Sequence, residues 1–352
     1  MRWVNLEQKG TPPVARSSHT ITAVGDKLVL WGGEHTPRVP IDSQVHVYDV
    51  AVSTWSQPAA TGDVPAPRNA PAAAAIGSKV YYFGGRSGID MGEGSLDELY
   101  AFDVATNRWS KVEPRGGVCP PRRSYHAMVS QGGKLYVFGG CGEAGRLNDL
   151  WEFDTASGTW SQLPTSAAIK GRGGCGFAAA AGALYVIGGF CGNELNDVHR
   201  FDLSTRQWDC GAASSTTTTT AASAGAGSGA TTAAGAAAAS GGAAPAACGC
   251  RGTSSALPAR SVFAQATHGC RQACPHGGHV VVFAAGDFSN DAFCFDSEQP
   301  VDSWHKLQPE GDVPCPRGWL AATATPAGVV IFGGNSNSNE RLGDMYLLDM
   351  HS

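Results

Sequence analysis

The sequence predicts an all-β fold in which six four-stranded sheets, or blades, form a propeller that is closed by an amino-terminal strand. Three features predict it: a Gly-Gly doublet that recurs about every fifty residues, an apolar run before each doublet, and a later tryptophan. The intact doublets are Gly32-Gly33, Gly84-Gly85, Gly139-Gly140, Gly188-Gly189 and Gly333-Gly334. A strand-rich repeat of this length is typical of one propeller blade.

Each repeat carries four strand signals in the same order. The first strand follows an Arg-Ser-x-His-like segment, as at residues 16–19 and 123–126, and the second strand ends at the doublet. The third strand ends in an aromatic residue and an aspartate, as at Phe153-Asp154. The fourth strand contains one tryptophan, and these are Trp55, Trp109, Trp160, Trp208 and Trp304. Because side chains alternate along a strand, we expect each blade to pack on the next one.

The sixth repeat shows only its first three strands, in residues 317–349. Residues 3–6, Trp-Val-Asn-Leu, resemble the tryptophan strand and precede the first repeat. Pairing this segment with the last repeat closes the ring and removes sheet edges that invite aggregation. The sequence therefore predicts that residues 3–6 belong to blade six.

A stretch without strand signals separates the fourth repeat from the fifth. Residues 211–256 contain no Leu, Ile, Val, Phe, Tyr, Trp or Met, and they consist mainly of Ala, Gly, Ser and Thr. Such a segment buries too little apolar surface to offset the entropy of ordering it. We therefore expect blades one to four in residues 1–209, a disordered insert in residues 210–257, and blades five and six in residues 258–352.

Composition restricts the class of partner and the location. The net charge is −5 and no basic block is present, so we expect no nucleic-acid partner. The sequence has neither a secretion signal nor an apolar run of about 18 residues, which predicts no membrane span. The 11 cysteines are mostly single and irregularly spaced. They favour reduced thiols in the cytoplasm, with the nucleus as the alternative.

The repeats resemble kelch repeats. Outside the insert, the chain also resembles plant and algal kelch proteins related to the nitrile-specifier and epithiospecifier proteins. The segments that carry this resemblance are Arg16-Ser17-Ser18-His19, Gly171-Arg172-Gly173-Gly174, Gly189-Phe190-Cys191-Gly192-Asn193-Glu194-Leu195 and Pro316-Arg317-Gly318-Trp319. The resemblance implies that Arg86 contacts a substrate and that Trp319 and Tyr125 line its pocket. All three are expected on one face of the ring.

The resemblance also implies a cofactor, Fe(II), and an activity. Specifier proteins use Fe(II) to direct glucosinolate aglucones toward nitriles, epithionitriles or thiocyanates, and they hold it with a Glu-x3-Asp-x3-His pattern after the fifth doublet. In this chain Asp287 and Asp291 provide two carboxylates there, whereas Phe295 stands in the place of the histidine. Both aspartates are candidate metal ligands. The alternative is that they form a turn and the start of a strand.

A second candidate metal site is local and does not recur. Residues 268–279 hold two cysteines and three histidines. Cys270, Cys274, His276 and His279 have the ligand chemistry of a zinc site. The alternative is a loop insertion without a metal.

Three functions are open at this stage. The favoured hypothesis is a binding module that presents its loop face to a protein partner or a small ligand and needs no cofactor. The alternative is a specifier-like, Fe(II)-dependent lyase that acts on glucosinolate aglucones in sulfur metabolism. The third is a metal-responsive or redox-responsive scaffold that uses residues 268–279. His19 and His126 recur at equivalent positions, which favours packing over catalysis.

Overall fold

The computed structural model describes residues 1–89, 93–209, 253–254, 257–261, 263–268, 279–283, 289–297 and 303–351. Regular structure in these ranges consists of strands. In the first half of the chain they are β1 Arg2–Asn5, β2 Lys9–Gly10, β3 Thr20–Val24, β4 Lys27–Trp31, β5 His46–Asp49, β6 Thr54–Ser56, β7 Thr61–Gly62, β8 Ala72–Ile76, β9 Lys79–Phe83, β10 Leu99–Asp103, β11 Arg108–Val112, β12 Ala127–Gln131, β13 Lys134–Gly142, β14 Gly145–Asp154 and β15 Thr159–Leu163.

The remaining strands are β16 Gly176–Ala180, β17 Ala183–Phe190, β18 Glu194–Asp202, β19 Gln207–Asp209, β20 Thr253–Ser254, β21 Ala264–His268, β22 His279–Phe283, β23 Ala292–Asp296, β24 His305–Leu307, β25 Glu310–Gly311, β26 Ala321–Thr325, β27 Gly328–Asn335 and β28 Arg341–Asp349. No helix in the described ranges is long and apolar enough to cross a membrane. The predicted insert, residues 210–257, lies outside the described residues except for residues 253, 254 and 257.

The strands form six sheets. From the outer edge inward their orders are β2-β6-β5-β4-β3, β7-β11-β10-β9-β8, β15-β14-β13-β12, β19-β18-β17-β16, β20-β24-β23-β22-β21 and β25-β1-β28-β27-β26. The innermost strands contact one another in a closed cycle, in the order β3, β8, β12, β16, β21, β26 and back to β3. The protein is therefore an all-β propeller, and the innermost strand of each sheet lies next to the axis.

The amino-terminal strand closes the ring, as the sequence predicts. β1 pairs antiparallel with β28, so that Trp3 lies opposite Leu348 and Val4 opposite Leu347. The Trp3 side chain is fully buried in an apolar cluster that joins the last two sheets. Four short outer strands were not predicted. β2, β7 and β25 each pair in parallel with the tryptophan strand of their sheet, and β20, which lies within the predicted insert, pairs antiparallel with β24.

The core lies between neighbouring blades, because alternating side chains bury both faces of each sheet. Between the first two blades, for example, the ring centroids of Trp31 and Trp109 are 5.3 Å apart. The same cluster contains Val29, Val80 and Phe102, all fully buried. The predicted stacking of blades is confirmed.

Every blade also contains a buried arginine just before its first strand. These residues are Arg16, Arg68, Arg123, Arg172, Arg260 and Arg317, each with at most 2% of its surface exposed. The Arg123 guanidinium donates to the carbonyl of Gly139 at 2.9 Å and to both carboxylate oxygens of Asp149 at 2.8 and 2.7 Å. The Arg123 side chain thereby connects the segment before β12 to the end of the apolar run in β13 and to β14.

Blade one departs from this arrangement. The register of β5 places Gln44 where blade three has Asp149. Arg16 instead has the Asp42 carboxylate at 3.8 Å and the His46 ring nitrogen Nε2 at 3.4 Å. Burial, with the positive charge of Arg16 second, lowers the pKa of His46 to about 4.

His19 and His126 pack between blades, in agreement with the role that their recurrence predicts. Each is only 6% exposed, and each ring meets a phenylalanine of the preceding blade edge-on, at 5.4 Å. Burial is the main cause that lowers the pKa of both rings to about 3, and the nearby buried arginine lowers it further. The native protein therefore holds them neutral, whereas an unfolded chain protonates them near pH 6.5.

We expect acid to destabilise the protein through these histidines. Because their native pKa is depressed, the free energy of unfolding is highest above about pH 6.5 and falls as the pH drops toward 3. Blade six has Leu320 at the position of His126. In the His126→Leu variant, the slope of the free energy of unfolding against pH, between about pH 6 and pH 4, should therefore be smaller by roughly 1.4 kcal/mol per pH unit. Urea unfolding at several pH values measures both slopes. If the free energy of unfolding has the same pH dependence in the wild type and in the His126→Leu variant, the prediction is wrong.

Candidate functional site

A pocket of about 430 Å³ opens at one end of the ring. We call it the mouth pocket, and its described lining is Ser18, Glu34, Pro37, Arg38, Arg86, Ile89, Tyr125, Trp319, Asn335, Asn339 and Arg341. The structure brings together Arg86, Tyr125 and Trp319, the three residues that the family resemblance marks as ligand contacts. Their part in binding stays a prediction.

A ring of left-handed residues lies beneath the mouth pocket. Six segments begin with a buried arginine, and in the five whose third residue is described that residue has positive φ: 54° at Ser18, 47° at Ala70, 52° at Tyr125, 59° at Gly174 and 52° at Trp319. Backbone hydrogen bonds link them in sequence. The Ser18 N–H donates to Trp319 O at 2.9 Å, Ala70 to Ser18 at 2.9 Å, Tyr125 to Ala70 at 3.2 Å and Gly174 to Tyr125 at 2.9 Å. We call these five residues the axial ring.

Backbone strain concentrates at this end of the molecule. The described ranges contain ten non-glycine residues with positive φ. Half of them line the mouth pocket: Ser18, Arg38, Tyr125, Trp319 and Asn339. Left-handed conformations in non-glycine residues cost about 1 kcal/mol or more and cluster at functional sites.

The position after the Gly-Gly doublet supplies the next group of lining residues in three of the blades. Glu34, Arg86 and Asn335 occupy it in blades one, two and six. Each forms an isolated β-bridge with the residue that follows a buried arginine. The bridged pairs are Ser17 with Glu34, Asn69 with Arg86 and Gly318 with Asn335. Sequence reasoning missed Glu34 and Asn335, although their position after a doublet, shared with Arg86, was a usable signal.

The described lining is rich in positive charge. It contains three arginines, Arg38, Arg86 and Arg341, and one carboxylate, Glu34. Arg341 Nη2 donates to Glu34 Oε1 at 2.6 Å, and both side chains are nearly buried. Glu34 Oε2 accepts the backbone N–H of Arg38 at 2.7 Å. Arg341 thereby offsets the charge of Glu34, the one carboxylate of the described lining.

Arg86 and Tyr125 form the aromatic side of the pocket. Arg86 Nη2 donates to the Tyr125 hydroxyl at 3.1 Å, and the guanidinium carbon lies 5.2 Å from the centre of the phenol ring. Burial raises the pKa of Tyr125 despite the opposing charge of Arg86. The phenol therefore remains protonated and can both accept from Arg86 and donate.

Asp291, the candidate iron ligand that the structure describes, does not line the mouth pocket. The Asp291 carboxylate lies 3.5 Å from Arg260 and 3.9 Å from Lys306, directly before β23. It thus occupies the position that Asp149 has beside Arg123, and these contacts do not fit an open iron site. Phe295 is fully buried against Trp304, with ring centroids 4.8 Å apart. Asp287 lies outside the described residues, so the pair as a metal site stays a prediction.

Three of the four candidate zinc ligands lie outside the described residues. Cys270, Cys274 and His276 lie outside the described residues, and only the backbone of His279, at the start of β22, is described. Within the part of the chain that the structure describes, no three His, Cys, Asp or Glu side chains converge as a metal site. The zinc site therefore also stays a prediction.

Comparison with known proteins places the chain among sequences of this repeat type. Residues 18–233 match the family described as "KLHDC2/KLHL20/DRC7 Kelch-repeats domain". The chain is 30% identical to the "N-(sulfonatooxy)prop-2-enimidothioate sulfolyase" of Thlaspi arvense. The alignment spans 392 residues and covers 99% of this chain and 97% of that protein.

Two further relatives match smaller parts of their own length. The chain is 26% identical to the "Leucine-zipper-like transcriptional regulator 1 homolog" of Drosophila melanogaster, over 96% of this chain but 31% of that protein. It is 31% identical to the human "Kelch domain-containing protein 3", over 49% of this chain and 46% of that protein. The similarity to the Thlaspi arvense protein is thus the one among these that extends over nearly all of both chains.

Proposed function

The chain belongs to the kelch-repeat family, and from that premise we propose that it is a binding module whose mouth pocket holds a small organic anion. The observation that carries this proposal is the described lining, in which three arginines accompany one carboxylate that Arg341 already offsets. Two aromatic residues, Tyr125 and Trp319, provide apolar surface beside those charges. The volume of about 430 Å³ suits a small molecule.

An organic sulfate is the ligand class that we favour. The name of the Thlaspi arvense relative includes a sulfonatooxy group, and guanidinium groups bind planar arrays of anionic oxygens through paired hydrogen bonds. Arg38, which is exposed, and Arg86, which is buried, approach the pocket from different loops. An anionic side chain on a protein partner is the competing occupant of the same pocket.

Calorimetric titration with phenyl sulfate tests the proposal, with phenol as the neutral control that keeps the aromatic ring and lacks the sulfate group. We expect saturable one-to-one binding of phenyl sulfate that weakens as salt is added, because salt screens the arginines. Phenol should bind at least about tenfold more weakly. Equal affinity for the two compounds, or no binding of phenyl sulfate, contradicts the proposal.

A second candidate function is specifier-like chemistry, in which the protein directs glucosinolate aglucones toward nitriles with Fe(II). It is favoured by the 30% identity to a sulfolyase over nearly the whole chain. The test is product analysis of aglucone breakdown with and without the protein, at several concentrations of ferrous iron. Iron-dependent nitrile formation that requires the protein supports it. A product mixture that the protein does not change is the result against it.

We propose the cytoplasm as the location, with the nucleus as the alternative. The six cysteines in the described ranges are free thiols. They are Cys119, Cys141, Cys175, Cys191, Cys294 and Cys315. Free thiols suit a reducing compartment. Fluorescence microscopy of the tagged full chain measures the location directly.

A further inference from the structure

The axial ring gives one backbone conformation to side chains of very different size. Its φ values lie between 47° and 59°. Two members are large, Tyr125 and Trp319, and three are small, Ser18, Ala70 and Gly174. Because their φ values are so similar, the five positions differ mainly in the size of the side chain and in whether they line the mouth pocket.

Ser18 is the small residue that faces the pocket. In the order of ring hydrogen bonds it follows Trp319 directly and is separated from Tyr125 by Ala70. Ser18 lines the mouth pocket, whereas Ala70 is 7% exposed and does not line it. Ser18, Tyr125 and Trp319 all line the mouth pocket. Ser18 thus lies next to Trp319 in the ring and shares the pocket with Tyr125.

We propose that Ser18 is a specificity-determining residue, because its small side chain leaves the space that receives the apolar body of the ligand. This inference rests on the proposed function, since it concerns the same pocket. The anionic group lies toward Arg38 and Arg86, and the body of the ligand lies over Ser18 between Trp319 and Tyr125. The ligand class is therefore a flat or unbranched organic anion, and an anion with a branched body beside its charged group is excluded.

The protein itself shows that a large side chain is compatible with this backbone position. Tyr125 and Trp319 both have φ of 52°, against 54° for Ser18. The Ser18→Tyr substitution therefore requires no new backbone conformation. Gly174→Tyr is a matched control, because it adds the same side chain to the same ring at a residue that does not line the pocket.

The experiment is a calorimetric titration of the full chain with phenyl sulfate. We compare the wild type with Ser18→Tyr, Gly174→Tyr and Arg86→Ala. Ser18→Tyr should lose at least about tenfold in affinity, while Gly174→Tyr should stay within about twofold of the wild type. Thermal unfolding of each variant checks that it is folded.

A second measurement uses only folded wild-type protein and so does not depend on the tyrosine variant. The probes are n-pentyl sulfate and neopentyl sulfate, which have the same charge and the same atoms but differ in branching. We expect the unbranched isomer to bind at least about tenfold more tightly. Glycine also tolerates positive φ and has no side chain. In the Ser18→Gly variant, the difference in affinity between the two pentyl sulfates should therefore be smaller.

The outcomes separate this inference from the proposed function. Suppose that Arg86→Ala binds phenyl sulfate more weakly than the wild type, whereas Ser18→Tyr binds it with the affinity of the wild type. The inference about Ser18 is then wrong and the proposed function stands. Equal affinity for the two pentyl sulfates also overturns the inference. If the wild type binds none of these anions, the proposed function fails and the inference fails with it.

Discussion

Replacing Asp149 with asparagine should lower the free energy of unfolding by about 3–5 kcal/mol, because the change leaves the Arg123 guanidinium buried without its counter-charge. Arg123 is fully buried and Asp149 is 14% exposed, with paired contacts of 2.8 and 2.7 Å. Asp149 also accepts a hydrogen bond from Trp151 Nε1 at 2.6 Å. The contacts with Arg123 lower the pKa of Asp149 although burial opposes this. Urea unfolding at neutral pH measures the loss.

The adjacent arginine provides the control. Arg122 pairs with Asp97 at 3.3 Å, but these side chains are 59% and 44% exposed. Asp97→Asn should therefore change the free energy of unfolding by no more than about 1 kcal/mol. If the two asparagine variants are equally stable, the buried Arg123–Asp149 pair does not stabilise the packing of β12, β13 and β14 within their blade.

The Arg86→Ala variant should bind phenyl sulfate about tenfold to a hundredfold more weakly than the wild type, since a charge-assisted hydrogen bond contributes about 1.5–3 kcal/mol. Arg86 is 4% exposed and reaches the pocket beside the Tyr125 hydroxyl. A charge in a water-poor site attracts an anion more strongly than an exposed one does. Calorimetric titration at low and moderate salt measures the loss.

Two controls separate charge from geometry in that experiment. Arg86→Lys keeps the charge but removes the planar fork of donors, so it should recover only part of the affinity. Arg122→Ala removes an exposed positive charge that does not line the pocket, and the affinity should stay within about twofold. An Arg86→Ala protein that is folded and binds like the wild type contradicts a role for Arg86.

The propeller and its closure could be predicted from the sequence because they depend on periodic signals. Apolar runs, Gly-Gly doublets and single tryptophans recur at fixed positions, and residues 3–6 repeat the tryptophan signal. The outer strands β2, β7 and β25 could not be predicted, since each has two residues and no pattern. The Arg123–Asp149 pair was also missed, because its partners are 26 residues apart and join different strands.

The candidate site was predictable only in part. Arg86, Tyr125 and Trp319 were named through a family resemblance, and the structure places them in one pocket. Arg341 was missed because it begins β28 and reaches Glu34 from the other end of the sequence. Asp291 was named as a candidate metal ligand through the same family resemblance. Its contact with Arg260, at 3.5 Å, is recognised only once the blade is folded.

The most direct test of the proposed binding site is a crystal structure of the full chain with phenyl sulfate at saturating concentration. We expect the sulfate within hydrogen-bond distance of Arg86 and the phenyl ring over Ser18, between Trp319 and Tyr125. Phenyl sulfate bound elsewhere on the propeller, with the mouth pocket free of it, contradicts that assignment.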